Sequence, residues 1–322
     1  MRCLITGGAG FVGSHLSDAF LKCGEEVTAL DVASDLKVRH HLDNRRFRYV
    51  NGSVLDRDTV ESLVSWSDVV YHMAAVVGVD NYVTDPLKVL NININGTQNV
   101  LGAALKNRKK VVFSSTSEVY GKSLDIPFKE DGERVLGSTT IDRWSYSTSK
   151  AVGEHFCFAF AKQGLPVVVT RFFNLYGPRL DKANTGRVIS IFLGQLLSGA
   201  PLTVIGDGRQ TRCFTYIEDA IRAIVAAGVK KEAVGEVINI GSDEEVSIIH
   251  LAERMIRLSG QASSIVFVPE AEAYGVGYED IRRRVPDITK MREILGVAPR
   301  IGLNEGLKRT IEWFSREAAN SE

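Results

Sequence analysis

Tyr146 and Lys150 stand four residues apart in the stretch Tyr146-Ser-Thr-Ser-Lys150. On a helix that spacing puts both side chains on one face. A phenol beside an ammonium is biased towards phenolate, which makes tyrosine a usable base near neutral pH. A second stretch, Gly7-Gly8-Ala9-Gly10-Phe11-Val12-Gly13, follows a short apolar run and opens a helical pattern. Strand, glycine loop and helix in that order suit a pyrophosphate. Gly7 permits the tight turn, Gly10 the close approach of backbone to phosphate, and Gly13 the packing of helix on strand, while the helix N-terminus supplies amide donors. Together the two stretches predict a tyrosine that takes a proton from an alcohol while a bound dinucleotide takes the hydride. Asp31 closes the next apolar run, where a ribose 2′-hydroxyl is expected. Its carboxylate favours NAD over NADP, although Lys37 and Arg39 nearby leave NADP open.

A third cluster is Ser114-Ser-Thr-Ser-Glu-Val-Tyr-Gly121, expected just past the end of a strand. Thr116 offers a hydroxyl to a substrate alcohol or to Tyr146, and Glu118 adds a carboxylate beside it. The elements that must position these groups are legible from periodicity. Apolar runs predict strands over 3–6, 27–30, 47–50, 69–72, 110–113, 167–173 and, later, 237–240. Helical patterns cover 11–23, 91–105 and 145–162. Solidly apolar strands alternating with helices imply an α/β fold, a doubly wound parallel sheet covered on both faces. After Tyr176-Gly-Pro178 the rhythm changes to a helix at 188–197, a short strand at 202–205 and a helix at 217–227. We therefore expect a Rossmann-type cofactor domain over 1–176, with 214–242 returning to it, and a smaller α/β lobe from 177–213 and 243–322 closing over the strand ends.

Composition narrows the function classes. The 322 residues carry 39 Lys+Arg against 39 Asp+Glu, so no overall basic field points to nucleic acid. No apolar run approaches a membrane span and no signal peptide is visible, so a cytoplasmic protein without membrane partners is expected. Four cysteines lack metal-like spacing; Cys3 and Cys157 sit in apolar runs and read as buried thiols. His15, His72 and His155 read as packed structural residues, Trp144 as packing and Arg45-Arg46 as a solvated loop. No metal site is expected.

The chain resembles the extended short-chain dehydrogenase/reductases that act on nucleotide sugars. The resemblance runs over nearly the whole length. It rests on the glycine loop, His72-Met-Ala-Ala75, Asn93-Ile-Asn-Gly-Thr97, the Ser/Thr cluster, the Tyr146/Lys150 pair, Arg171-Phe-Phe-Asn-Leu-Tyr-Gly-Pro178 and Gln210-Thr-Arg-Cys-Phe-Thr-Tyr216. It implies NAD as cofactor, held by Gly7, Gly10, Phe11, Val12, Gly13, Asp31, Ser53, Val54, Ala74, Ala75, Asn93, Ser114, Tyr146, Lys150 and Phe172. Ser53 departs from the aspartate common in that position. The resemblance further implies Tyr146 as acid/base at a sugar C4 hydroxyl, Thr116 assisting at the same oxygen, and Lys150 on the nicotinamide ribose, lowering the tyrosine's pKa. Asn174 would bind substrate, Arg212 its diphosphate, and the segment 203–205, beginning at Thr203, its base.

Within that family, Thr116-Ser117-Glu118 resembles the Thr-Ser-Glu of UDP-glucuronate decarboxylases. So do Ile141-Asp-Arg-Trp-Ser-Tyr146, Asn184-Thr-Gly-Arg187-Val188-Ile-Ser190 and Tyr278-Glu-Asp-Ile-Arg-Arg-Arg284-Val-Pro286. Arg284 matches an arginine with a catalytic or carboxylate-binding role, and Arg187 and Val188 fall in a substrate loop. The expected reaction is C4 oxidation of UDP-glucuronate and loss of CO2, giving UDP-xylose or the 4-keto pentose. A UDP-sugar 4-epimerase is the alternative, followed by a 4,6-dehydratase and a non-catalytic NAD-sensing scaffold. The helices at 91–105 and 145–162, with Val152, Phe156 and Phe160, resemble the pair that forms a homodimer interface, although burial within one chain would account for them equally.

Overall fold

Seven short runs rich in Val, Ile and Leu form a single parallel sheet in a computed structural model that describes residues 1–180, 183, 186–274 and 281–319. Asn184, Thr185, Tyr278, Glu279 and Asp280, which carried part of the decarboxylase resemblance, lie outside the described residues. The strands are β1 (Arg2–Thr6), β2 (Glu26–Asp31), β3 (Phe47–Asn51), β4 (Val69–His72), β5 (Lys110–Thr116), β6 (Val167–Phe172) and β7 (Val237–Ile240). Their order across the sheet is β7-β6-β5-β4-β1-β2-β3, every pair parallel. The direction of winding reverses between β1 and β4, so a crevice opens at their carboxyl ends, the place where such sheets bind ligands. Residues of β4 are buried throughout, as expected of a strand covered on both faces.

Helices α1 (Phe11–Lys22), α2 (Arg57–Trp66), α3 (Pro86–Lys106) and α4 (Arg143–Ala161) follow β1, β3, β4 and β5 respectively. Two differ from expectation for identifiable reasons. Helix α3 begins five residues before position 91, because the Asp85 side chain accepts from the Lys88 amide at 3.0 Å and Pro86 occupies the first turn, where its missing N–H costs nothing. Helix α2 was not visible as a pattern; Asp56 caps it by accepting from the amides of Asp58 and Thr59.

Strand β5 also runs three residues further than its apolar stretch. Ser114, Ser115 and Thr116 pair with Thr170, Arg171 and Phe172 of β6. Hydroxyls are tolerated in this buried strand because they are satisfied. Ser114 Oγ donates to the His72 carbonyl at 3.0 Å, and Ser115 Oγ to Glu154 Oε1 at 2.5 Å. Glu154 in turn receives Arg171 through Nε at 2.9 Å and Nη2 at 2.7 Å, a buried fork that ties α4 to β6 directly beneath the crevice.

The rest of the chain packs over one end of the sheet. Leu202–Ile205 pairs with Ile265–Val268, while Thr211–Cys213 lies between Glu245–Ser247 and Arg283–Arg284. This last pairing sets Arg284 directly opposite Arg212. One apolar cluster joins the two regions, running from Ile5 and Tyr71 through Tyr176 and Phe192 to Leu251 and Phe314. Among the described residues no helix is long and apolar enough to cross a membrane.

His72 is buried between the hydroxyls of Thr6 (2.7 Å) and Thr97 (3.1 Å), and burial pushes its pKa down to about 3. His155, by contrast, is exposed on α4, so it is not a packing residue. Phe156 and Phe160 are half-buried against the core of their own chain.

Candidate active site

A cavity of about 730 Å³ opens at the switch point of the sheet. All the site residues expected from sequence line it except Asn93. At one end lies the glycine loop. Gly7 has φ +70°, and the Gly10 amide donates to the Gly7 carbonyl at 3.0 Å to close the turn. A Cβ on Gly13 would stand 2.2 Å from the Gly7 oxygen and 2.7 Å from Gly8 Cα; one on Gly7 would stand 2.7 Å from the Ala74 nitrogen. The loop is therefore as tight as backbone allows. No side chain caps α1, which leaves its N-terminal amides directed at the cavity end.

Asp31 stands at the tip of β2 beside this loop. Its carboxylate accepts from the amides of Ala9 and Ala33, each at 3.0 Å. Lys37 donates to the Leu180 carbonyl at 3.2 Å, and Arg39 faces Asp35 at 3.9 Å. The ribose end of the cavity thus presents an anion, as a 2′-hydroxyl requires and a 2′-phosphate does not. Ser53, Val54, Ala74 and Ala75 form the walls, with Phe11, Val12 and Phe172. Backbone cradle, uncapped helix and strand-end carboxylate all fit a dinucleotide of the NAD type.

Asn93 serves the cavity from behind. Its Oδ1 accepts from the Val76 amide at 2.8 Å, and its Nδ2 donates to the Val76 carbonyl at 3.2 Å and to Ser149 Oγ at 3.0 Å. It fastens the loop after β4 to α4 rather than lining the pocket.

At the other end α4 presents Arg143, Tyr146 and Lys150 at three- and four-residue steps, on one face. The Thr116 hydroxyl lies near enough to the Tyr146 phenol to favour its ionised form, and its Oγ1 accepts from the Glu118 amide at 3.2 Å. The Tyr82 ring stacks on Tyr146 with centroids 5.7 Å apart and planes at 15°. Lys150 Nζ donates to the Ser114 carbonyl at 2.7 Å and approaches Ser114 Oγ at 3.4 Å.

The electrostatics differ from the sequence expectation. Burial pushes Tyr146 up to about 12, and Glu118 adds to the rise; Arg187, the Thr116 hydroxyl and Arg284 oppose it. Lys150 is itself pushed down to about 7 by burial, which outweighs the opposing pull of Cys157 and Glu154. The phenol therefore rests protonated. Drawing its proton away calls for positive charge arriving beside it. The Lys150 shift also carries a sign: between about 7 and the ordinary 10.5 the unfolded chain binds a proton that the native chain does not, so this group makes folding more favourable as pH rises through that window.

Glu118 is the second surprise. It is half-buried, with Oε1 2.8 Å from Arg284 Nη1 and Oε2 3.3 Å from Arg143 Nη2. Burial alone would raise its pKa, but Arg284, Arg143 and Arg212 outweigh it and hold the carboxyl below its usual range. Ser117 lies beside it in the wall, and Arg212 is anchored through Nη1 to the Thr211 carbonyl at 2.8 Å. Asn174 adopts φ +38° and donates to the Cys213 carbonyl at 2.9 Å. Thr203 is held by Gln195, whose Nε2 donates to its hydroxyl at 2.7 Å. Arg187 and Val188 border the mouth, Arg187 exposed with its guanidinium 5.9 Å from the Phe11 ring centre.

Of the cavity residues that had no role from sequence, Arg143 and Tyr82 stand nearest the reacting tyrosine, one turn before it and stacked on it. Arg143 had a signal, being three residues before Tyr146 on the same helix face. Tyr82 had none: it sits in a six-residue helix, Val79–Thr84, that tertiary packing places.

Gly13→Ala tests the cradle. Because the clash is with backbone, we expect a stability loss of about 1–3 kcal/mol, with NAD binding weakened at least about tenfold as the loop opens. Thermal unfolding and calorimetric titration with NAD+ read both.

A doubly wound sheet whose switch point opens on a dinucleotide cradle and a Tyr/Lys helix defines a Rossmann-type enzyme of proton and hydride chemistry. Residues 3–241 match the NAD dependent epimerase/dehydratase family, and the chain belongs to it. It is 44% identical over 320 residues to a UDP-N-acetyl-alpha-D-glucosaminuronate decarboxylase of Bacillus cytotoxicus, covering 99% of each chain. It is 39% identical to UDP-glucuronic acid decarboxylase 1 of Danio rerio, covering 98% of this chain and 73% of the relative. Among solved structures, the UDP-glucuronic acid 4-epimerase of Bacillus cereus in complex with UDP-glucuronic acid and NAD superposes with a TM-score of 0.88 at 32% identity, covering 98% of this chain and 100% of the other.

Proposed function

We propose that this protein is an NAD-dependent decarboxylase of UDP-linked hexuronates, with Tyr146, Lys150, Thr116, Ser117, Glu118 and Arg284 as its catalytic set. The observation that carries the reading is Glu118, an ionised carboxylate held between Arg284 and Arg143 in the wall that also bears Tyr146. An enzyme that only inverts a hydroxyl has no use for a fixed anion with paired cations there. The full-length likeness to two uronate decarboxylases supports it.

Bound NAD supplies the hydride acceptor at C4 and, in its oxidised form, the positive charge that the phenol of Tyr146 needs nearby. Tyr146 takes the C4 hydroxyl proton while Thr116 holds the same oxygen. The ketone so formed stands β to the C6 carboxylate. The C5–C6 bond then breaks, CO2 leaves, and the electron pair passes into the C4 oxygen as an enolate, stabilised by the Thr116 hydroxyl and the Tyr146 phenol. Protonation at C5 completes the step, with Ser117 and Glu118 placed to orient the water that delivers it. Arg212 grips the diphosphate, and Asn174, Thr203, Arg187 and Val188 hold the sugar and base, so that 177–213 with 243–322 acts as the substrate lobe and 1–176 with 214–242 as the cofactor domain. The reading includes a cytoplasmic homodimer packed through α3 and α4; Leu87, 76% exposed near the start of α3, suits such a contact.

Incubation with NAD+ and either UDP-glucuronate or UDP-N-acetylglucosaminuronate, followed by product mass, tests the proposal. A nucleotide sugar lighter by CO2 from at least one of them is expected. An isomer of unchanged mass from both would make the protein a 4-epimerase instead.

A further inference from the structure

Among the described residues three non-glycines adopt positive φ, and two of them, Asn174 (+38°) and Arg179 (+61°), bracket one short arm of the chain. A backbone conformation that costs free energy persists only where surrounding contacts hold it. The first end of the arm is held from the substrate side. Asn174 Nδ2 donates to the Cys213 carbonyl at 2.9 Å, and its own carbonyl accepts from the Thr215 amide at 3.2 Å. Leu175–Tyr176 then pairs with Thr215–Tyr216, and Arg212, the residue before Cys213, lines the cavity. Midway along the arm a Cβ on Gly177 would stand 2.5 Å from Ile217 Cγ2, so the backbone there is pressed against its neighbour.

At the other end Arg179, its side chain 14% exposed, engages α1 and the ribose loop at once. Its Nη2 makes an ion pair with Asp18 Oδ2, and Nη1 lies 3.5 Å from Oδ1. Nη2 also donates to His15 Nδ1 at 2.7 Å. That nitrogen can accept because the ring donates through Nε2 to the Pro178 carbonyl at 2.8 Å. Burial and Arg179 push its pKa down to about 4, so the imidazole is neutral. Nη1 of Arg179 donates to the Lys37 carbonyl at 3.2 Å, in the loop whose Ala33 and Lys37 border the ribose end of the cavity. Lys37 returns the contact through the Leu180 carbonyl. Asp18 Oδ1 further accepts from His40 Nε2 at 2.9 Å and His41 Nε2 at 2.6 Å. One carboxylate and two imidazoles have the make-up of a metal site, but the cation seated on them is the Arg179 guanidinium.

We propose that Arg179 is a positioning residue that couples the two binding events. By fastening the ribose loop to the arm that carries Asn174, it lets bound NAD order the wall around Arg212, and lets a bound nucleotide tighten NAD in return. Such coupling is necessarily reciprocal. It calls for a guanidinium fork, since a single ammonium could not meet Asp18, His15 and the Lys37 carbonyl together. Arg179 stands outside the active-site cavity and acts through these neighbours. The inference rests on the assignment of a UDP-sugar to the substrate lobe and goes beyond it.

The test compares Arg179→Gln and Arg179→Gly with the parent. Glycine adopts φ +61° freely, so the second variant removes the guanidinium while relieving the backbone. Calorimetric titration gives the NAD+ affinity with and without saturating UDP. In the parent we expect UDP to tighten NAD+ by about five- to 150-fold, the usual range of coupling between sites, and in both variants by less than about twofold. NAD+ alone should also slow amide hydrogen exchange over 211–216 in the parent and not in the variants. A folded variant that keeps the parent's ratio overturns the proposal, as does a parent that binds both ligands with no change in NAD+ affinity. So does failure of both variants to fold by near-ultraviolet circular dichroism, which makes Arg179 structural only. If the parent does not bind UDP, the assignment of the substrate lobe fails instead, and hydrogen exchange alone decides the role of Arg179. Protection of 211–216 by NAD+ that is missing from the parent, or kept in the variants, then rules that role out.

Discussion

Replacing Tyr146 by phenylalanine is expected to cut turnover by about 100- to 10,000-fold, the usual contribution of a positioned general acid–base group. The same change should leave NAD affinity within about twofold and stability within about 1 kcal/mol, since only one hydroxyl is lost. The ring keeps its stack on Tyr82, and the cradle at Gly7, Gly10 and Gly13 is untouched. What disappears is the one oxygen, beside Thr116, to which the proposed reaction gives the proton transfer. Steady-state kinetics with calorimetric NAD titration separates the two effects. Turnover retained to within about tenfold would remove Tyr146 from the proton-transfer step.

Glu118→Gln is expected to act on both rate and stability. The amide keeps an oxygen for Arg284 but carries no charge, so Arg143 and Arg284, with side chains 3% and 7% exposed, lose the ion pairs they make with Glu118. Breaking a buried pair from one side costs about 3–5 kcal/mol, and a fall towards the lower end is expected because Glu118 itself is only partly buried. Activity should drop by about 100-fold or more, the scale on which a preorganised group at the reacting centre matters. The pH dependence follows from the depressed carboxyl. Its contribution is fully present above the ordinary glutamate value and is lost as pH falls through the lower, native-state value. The stability gap between parent and variant should therefore be widest near neutrality and close in acid. A uronate ligand, bringing its own carboxylate to the arginines that have lost the Glu118 charge, should raise the melting temperature of the variant more than that of the parent. Equal gains would show that the arginines do not face the ligand.

Much of this was legible before any coordinates. Gly7, Gly10 and Gly13 announce the cradle because backbone crowding admits nothing larger, and Asp31 marks the end of β2 because a carboxylate there interrupts an apolar run. The Tyr146/Lys150 spacing gave one helix face. The electrostatics around that face were not legible. Proximity in sequence suggested that Lys150 would lower the tyrosine pKa, but Lys150 turns to Ser114 and burial dominates both groups. The Glu118 environment was hidden for a different reason. Its arginines come from α4 and from the strand Arg283–Arg284, brought together by the pairing of that strand with Thr211–Cys213, a contact between distant parts of the chain. The extension of β5 through Ser114, Ser115 and Thr116 was missed because hydroxyl residues read as a turn until Glu154 and the His72 carbonyl are there to satisfy them.

The central claim is that oxidation at C4 comes first and makes the carboxylate leave. The most direct measurement supplies two UDP-uronates labelled with carbon-13 in the carboxyl group, one natural and one lacking the C4 hydroxyl, to the NAD-loaded protein, and follows labelled CO2. The account predicts release from the natural substrate and none from the 4-deoxy analogue, which should still bind. Labelled CO2 from the 4-deoxy analogue would contradict it, because no ketone could then have taken the electrons.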